Sequence, residues 1–276
     1  MGGLPARIPE ADVGDEYESF EKPMHKAAIK GDLEVIAALK DYGLDVNEVE
    51  NGQTPLHLSI IKDKTVATKT LISFGANLST LNKDGYAALH LAVLYDRVSL
   101  IDGLMDEEIE RDVDILDING NTALHIAVLI SNASAMKALI EEGANINMLN
   151  AEGNSPLHLA VLKNNIIALI ALLEEGAGMN LLNAKGNSPL HLAVQRESAD
   201  FVCKLLREGA NIYLLNAEGN SPLHIAVQRQ NADLVRKLLR EGADVHLENA
   251  KGNSALRMAV IQGNLGIIRL VFEYAE

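Results

Sequence analysis

The 276-residue chain contains a single cysteine, Cys203. No intrachain disulfide can form, which fits a reducing compartment. Basic residues are scarce: 24 Lys+Arg stand against 38 Asp+Glu, a formal net charge of −14. Nucleic-acid affinity is carried largely by Lys and Arg on phosphates, so this balance argues against a polyphosphate partner. A partner protein with a basic surface would instead be steered towards the chain. No apolar run is long enough to span a bilayer. Met1 to Phe20 lacks the basic-then-apolar pattern of a secretory signal. Gly2 invites a myristoylation reading, but Ala6 stands where Ser or Thr is required. A phosphate-cradling glycine loop ending in Lys-Ser/Thr is also missing. These absences predict a cytoplasmic protein, with the nucleus or a host-cell cytosol also compatible.

What is present is repetition. Gly153-Asn154-Ser155-Pro156-Leu157-His158 returns almost unchanged at Gly186 to His191 and at Gly219 to His224. Looser copies contain His25, His57, His90 and His125, and a last copy places Arg257 in the histidine slot. Successive slots lie 32, 33, 35, 33, 33, 33 and 33 residues apart. A fixed period in this range marks a stacked repeat array. Residues 1–20 precede it as an acidic leader with Asp12, Asp15, Glu16 and Glu18, read as a mobile tail or as a cap over the array.

Residues 150–182 show the grammar of one repeat. Asn150-Ala151-Glu152-Gly153 predicts a tight turn. Ser155 suits an N-cap and Pro156 the first helical position, where a missing N–H costs nothing. A short helix follows, packing through Leu157, Ala160 and Val161, and Asn164-Asn165 ends it. A second helix is predicted from about Ile166 to Glu175. Its expected packing face is Ile167, Ile170 and Leu173, which recur every three positions. Gly176 follows as a left-handed C′ residue. Helices this short are marginal alone, so stacking must supply the burial.

These residues resemble the ankyrin repeat. The likeness lies in [Ser/Thr]-Pro-Leu-His-x-Ala, in Gly-Ala-[Asn/Asp] after the second helix, and in the x-x-Gly turn, and covers residues 21–276 as eight repeats. It implies an all-α solenoid of antiparallel helix pairs with short β-hairpin-like tips. It also implies a concave side formed by tips and first helices, and protein binding without catalysis or cofactor. Some repeats depart from the pattern. The first has Pro23-Met24-His25 with no hydroxyl residue ahead, and the third has Ala87-Ala88 for Thr-Pro. The third is also two residues longer, which predicts an acidic loop from Met105 to Asp112. The last has Ala255 and Arg257, and predicts either one exposed apolar seam or a chain that continues.

The recurring histidines His57, His90, His125, His158, His191 and His224 invite a metal or catalytic reading. One repeat apart means about 10 Å for packed helices, whereas zinc needs its nitrogens within about 2.1 Å of one metal. They read instead as structural ties to backbone or a neighbouring hydroxyl. His246 reads as an ordinary surface residue. Cys203 has no base beside it in the pattern and reads as a spectator. The acidic cluster Asp106 to Asp114 lacks calcium-loop spacing and reads as a solvated loop.

The two positions that follow the Ala-Val pair of each first helix are more informative. They are Ile61/Lys62, Leu94/Tyr95, Leu129/Ile130 and Leu162/Lys163 in repeats two to five, and Gln195/Arg196 and Gln228/Arg229 in repeats six and seven. The resemblance places them on or near the concave surface. An apolar patch there marks an interaction site, with Tyr95 as its centre. Inward packing of Ile61, Leu94, Leu129 and Leu162 is the competing reading. The tips of repeats two to four, including Tyr86 and Ile118-Asn119, vary, whereas those of five to seven are nearly uniform. The expected partner-binding residues are therefore Tyr86, Tyr95 and Ile130, with Ile61, Leu94, Leu129, Leu162 and Lys163 around them.

The expected function is a monomeric, non-enzymatic scaffold for another protein. Narrower alternatives are an acidic inhibitor masking a basic transcription-factor surface, as the ankyrin inhibitors of Rel-type factors do, or a bacterial or parasite effector in a host cell. The targeting part of a longer enzyme and a plain spacer are the remaining options.

Overall fold

A computed structural model describes residues 20–104 and 112–275. The expected acidic loop from Met105, the calcium-loop question and nearly all of the leader lie outside those residues. Sixteen helices occur among them, as eight pairs. The first four pairs are α1 (Pro23–Lys30) with α2 (Leu33–Asp41), α3 (Pro55–Ile61) with α4 (Thr65–Ser73), α5 (Ala88–Leu94) with α6 (Ser99–Leu104), and α7 (Ala123–Leu129) with α8 (Ala133–Glu141). The other four are α9 (Pro156–Leu162) with α10 (Ile166–Glu174), α11 (Pro189–Gln195) with α12 (Ala199–Arg207), α13 (Pro222–Gln228) with α14 (Ala232–Arg240), and α15 (Ala255–Gln262) with α16 (Leu265–Phe272).

The chain divides into two compact units, Met1–Ala151 and Glu152–Glu276. In the first, α1, α3, α5 and α7 pack side by side, each against its own second helix. In the second, α9, α11, α13 and α15 do the same. The hairpin-like tips are turns: the described residues hold only two isolated β-bridges, Glu50 with Gln53 and Glu248 with Ser254.

Short polar side chains set the helix starts. Thr54, Thr122, Ser155, Ser188 and Ser221 each accept from the backbone N–H of the histidine three residues on. Asp32, Asn132, Asn165, Asn231 and Asn264 cap second helices in the same way. That satisfies one of the four N–H groups each helix start would leave bare. The residue between the helices of a pair is left-handed, and in the interior repeats it is not glycine. Asp63, Asp96, Ser131, Asn164, Glu197 and Gln230 all have φ between 55° and 60°.

The tips are tied to one another by backbone and asparagine bonds. In the first unit, Lys83 N–H donates to Gly52 O, Ile118 N–H to Gly85 O and Ala151 N–H to Asn119 O. In the second, Ala184, Ala217 and Ala250 donate to Glu152, Lys185 and Glu218. Asn183 Nδ2 donates to Asn154 Oδ1, Asn216 to Asn187 and Asn249 to Asn220, each at 2.9 Å. Gly186 allows this approach: it sits at φ 70°, and a Cβ there would collide with the backbone nitrogen of Ala217.

One sequence expectation is corrected, the packing face of the second helix α10. In α10 the buried stripe is Ala168, Leu169 and Leu172, while Ile167 is 67% exposed and Ile170 and Leu173 are half-buried. The helix is apolar on every side, so a three-residue spacing fits more than one face. Its counterparts α12 and α14 bury Phe201, Val202 and Leu205, and Leu234, Val235 and Leu238, the same slots as Ala168, Leu169 and Leu172. Phe20, read as leader, is buried and stacks on the His25 ring, with centroids 5.7 Å apart and planes 8° from parallel. In the last pair Val260, Ile261, Leu265 and Phe272 are exposed.

Candidate protein-binding surface

The histidine slot is a structural joint. In His158, Nδ1 accepts from Ser155 N–H at 3.1 Å and from the Ser155 hydroxyl at 2.8 Å. A backbone N–H can only donate, so Nδ1 carries no proton and Nε2–H must be the donor. That group donates to the Asn187 carbonyl, 3.0 Å away in the next tip. His191 repeats the arrangement between Ser188 and Asn220, and His224 between Ser221 and Asn253. In the first unit His57 joins Thr54 to Thr80, and His90 joins Ala87 to Asn121. His125 accepts from Thr122 N–H and the Thr122 hydroxyl.

Burial pushes His57, His158 and His191 down to about 4, against the opposing pull of their carbonyl partners. It lowers His90 and His224 as well. These imidazoles are neutral at pH 7. In the five that join two tips, both nitrogens are occupied, so none is placed to abstract a proton or to bind a metal ion. Among the described residues no group of His, Cys, Asp and Glu is arranged to hold a metal. No helix among them is long and apolar enough to cross a membrane.

The eight sequence-nominated surface residues separate by burial. Tyr86 is 4% exposed and tilts against the His90 ring at 6.3 Å, so it is removed from the exposed set. Burial, then Asp117 and Asp84, pushes its hydroxyl up to about 12. The reason lies in its slot, four residues before the histidine. Gln53, Asn121, Asn154, Asn187 and Asn220 fill the same slot and are all buried. Ile61 and Leu94, at 5% and 9%, are likewise corrected. They turn inward between helices, as the competing reading held.

Tyr95, Leu129 and Ile130 remain half-buried at the adjacent ends of α5 and α7. Asn132 Nδ2 donates to Asp96 Oδ1 at 2.8 Å and fixes those two ends in register. In the second unit Leu162 is half-buried and Lys163 exposed. Ile118 was overlooked as an individual anchor. It is 73% exposed at a tip of the first unit, in a slot that holds Lys83, Ala151, Ala184, Ala217 and Ala250 elsewhere. An apolar residue on a tip where others carry Ala or Lys was the available signal.

Charge is divided as unevenly as shape. Residues 1–151 hold 12 Lys+Arg against 25 Asp+Glu, and residues 152–276 hold 12 against 13.

Comparison with known proteins matches this geometry. The family model for ankyrin repeats (3 copies) matches in overlapping windows, among them 9–79, 24–114, 109–183 and 190–276. The mouse B-cell lymphoma 3 protein homolog is 33% identical over 103 residues, 36% of this chain and 23% of that protein. The Notch-regulated ankyrin repeat-containing protein of Xenopus tropicalis is 32% identical over 74 residues, 26% of this chain and 65% of that one. The chain therefore spans less than two thirds of either relative. Among solved structures, the ankyrin repeat domain of Bcl-3, described as a member of the IkappaB protein family, superposes with a TM-score of 0.59 at 27% identity. That match covers 91% of this chain and 98% of the other. The helix pairs, the histidine joints and the family match together establish that this chain belongs to the ankyrin repeat family, a protein–protein interaction fold.

Proposed function

We propose that the chain is a non-enzymatic binding protein that captures a partner protein through the first-helix ends of residues 20–151. Tyr95, Leu129 and Ile130 form the apolar centre, and Ile118 adds an anchor on a tip. The observation that carries this reading is that these side chains keep exposed area, while Ile61, Leu94 and Tyr86 around them are core. A tyrosine at the centre of a rigid apolar site is a usual hot-spot anchor. The scaffold presents them without a loop-ordering cost.

The excess of carboxylates in residues 1–151 favours a partner with a basic surface. The likeness to the Bcl-3 domain supports one narrower version, in which that basic surface belongs to a transcription factor and is masked by the array. Such a role places the protein in the cytoplasm or nucleus, as a monomer.

The test is affinity capture with the wild-type chain and with a Tyr95→Glu/Ile130→Asp variant, both shown to be folded by circular dichroism. A protein retained by the first and lost by the second supports the reading. Equal capture by both overturns it. Capture that survives 1 M salt argues against the basic-surface version alone, since surface charge pairing is screened at that concentration.

A further inference from the structure

Residues 152–276 carry a row of side chains that the surface above does not use. Helices α9, α11 and α13 pack side by side in that order. Their C-caps are Lys163, Arg196 and Arg229, and all three are exposed. Exposed Gln195 and Gln228 precede the two arginines. The ends of α11 and α13 are tied by Asn231 Nδ2 donating to Glu197 Oε2 at 2.9 Å, and those of α13 and α15 by Gln262 Nε2 donating to Gln228 O at 3.4 Å.

Each of the three caps is a cation. Of the second-helix cations, Lys204, Lys237 and Arg236 are paired with Glu208, Glu241 and Asp233. Among the described residues Lys163, Arg196 and Arg229 have no carboxylate partner. Of the acids that follow these caps, Glu197 accepts from Asn231 and Asp233 pairs with Arg236, while Asp200 stands in the first turn of α12. A helix C-terminus favours a cation, but that preference does not dictate the slot, because Tyr95 and Ile130 occupy it at the ends of α5 and α7.

We propose that Lys163, Arg196 and Arg229 form a docking row for an extended acidic segment of a partner protein. Packed helices stand about 10 Å apart. A segment in the polyproline II conformation rises about 3.1 Å per residue with three residues per turn, so every third side chain lies on one face, about 9 Å from the next. Carboxylates at every third position, Asp/Glu-x-x-Asp/Glu-x-x-Asp/Glu, therefore meet the three cations in turn. The arginines fork onto carboxylates with two parallel N–H bonds. The exposed Gln195 and Gln228 amides, which have no side-chain hydrogen bond among the described residues, can bond the peptide backbone. An acidic segment is disfavoured by the 25 carboxylates of residues 1–151 and tolerated by the near-balanced charge of residues 152–276. This row thus selects a partner of opposite character from the one proposed for the first unit.

The test is fluorescence anisotropy on the full chain. The probe is a labelled heptapeptide with Glu at positions 1, 4 and 7, and the control replaces those residues with Gln. The Glu peptide is expected to bind at least tenfold tighter than the Gln peptide, and to lose at least tenfold in a Lys163→Gln/Arg196→Gln/Arg229→Gln variant. Arg196→Lys, which keeps the charge and loses the fork, is expected to lose about threefold and also serves if the triple variant does not fold. The Tyr95→Glu/Ile130→Asp variant is expected to bind the peptide unchanged, which separates this row from the site in the first unit. Equal binding of both peptides, or an unaffected triple variant, overturns the proposal. So does a single-stranded oligodeoxynucleotide that binds the row more tightly than the Glu peptide.

Discussion

Acidification should loosen this protein through its buried histidines. His57, His158 and His191 are at most 1% exposed and are held down to about 4 by burial. In the unfolded chain each returns to about 6.5. The unfolded state therefore binds more protons between those values, and stability falls as pH falls through that window. Above about pH 7 the contribution is complete, and below about pH 4 the loss levels off. At pH 5 the deficit is about 2 kcal/mol for each of the three histidines. His158 and His191 together remove about 4 kcal/mol from residues 152–276, a large share of the 5–15 kcal/mol that a domain has. The geometry gives the cause: a proton on Nδ1 would face the Ser155 or Ser188 N–H that now donates to it. Urea denaturation followed by circular dichroism at pH 7.5, 6.0 and 5.0 reads the effect. With a slope of about 2–3 kcal/mol/M, the midpoint should drop by about 1.3–2 M between pH 7.5 and 5.0. Carboxylates titrate mostly below that range. A midpoint that stays constant across it would refute the reasoning.

Other substitutions test the architecture. Ala87 occupies the cap slot filled by Thr54 and Thr122, but supplies only its N–H to His90. Ala87→Ser should add the missing acceptor and raise stability by about 0.5–1.5 kcal/mol in thermal or urea unfolding. Gly186→Ala should lower stability by at least about 1–2 kcal/mol, because a left-handed alanine is strained and its Cβ meets Ala217 backbone. Leu169→Ala should cost about 2–5 kcal/mol, as for a fully buried leucine. Ile167→Ala, two residues away, should stay within about 0.5 kcal/mol. The reverse order in urea titrations would restore the face first read from the sequence.

The repeat grammar was legible because it is local. The Ser-Pro step, the Asn-Asn break after the first helix and the glycines after second helices each act within a few residues. Position along a helix face was harder to read. In α10, Ile167 and Leu169 look equally apolar, and only the neighbouring pairs decide which is buried. Tyr86 misled for a related reason. An aromatic beside a tip reads as an anchor, yet its slot is the inward one that Asn154 and Asn187 fill elsewhere. Comparing slots across repeats carried that information, whereas residue type did not. Lys163, Arg196 and Arg229 were visible as polar ends, but their lack of carboxylate partners needed side-chain contacts. The engagement of Glu197 by Asn231 spans 34 residues and has no local signature.

The central claim is that the first-helix ends of residues 20–151 recognise a partner protein. Hydrogen exchange on the captured complex, compared with the free chain, tests it most directly. The account predicts slower exchange in the segments carrying Tyr95 to Arg97 and Leu129 to Asn132, with the second helices α4 and α8 unchanged. Protection confined to α4 and α8, with none at those helix ends, would contradict it.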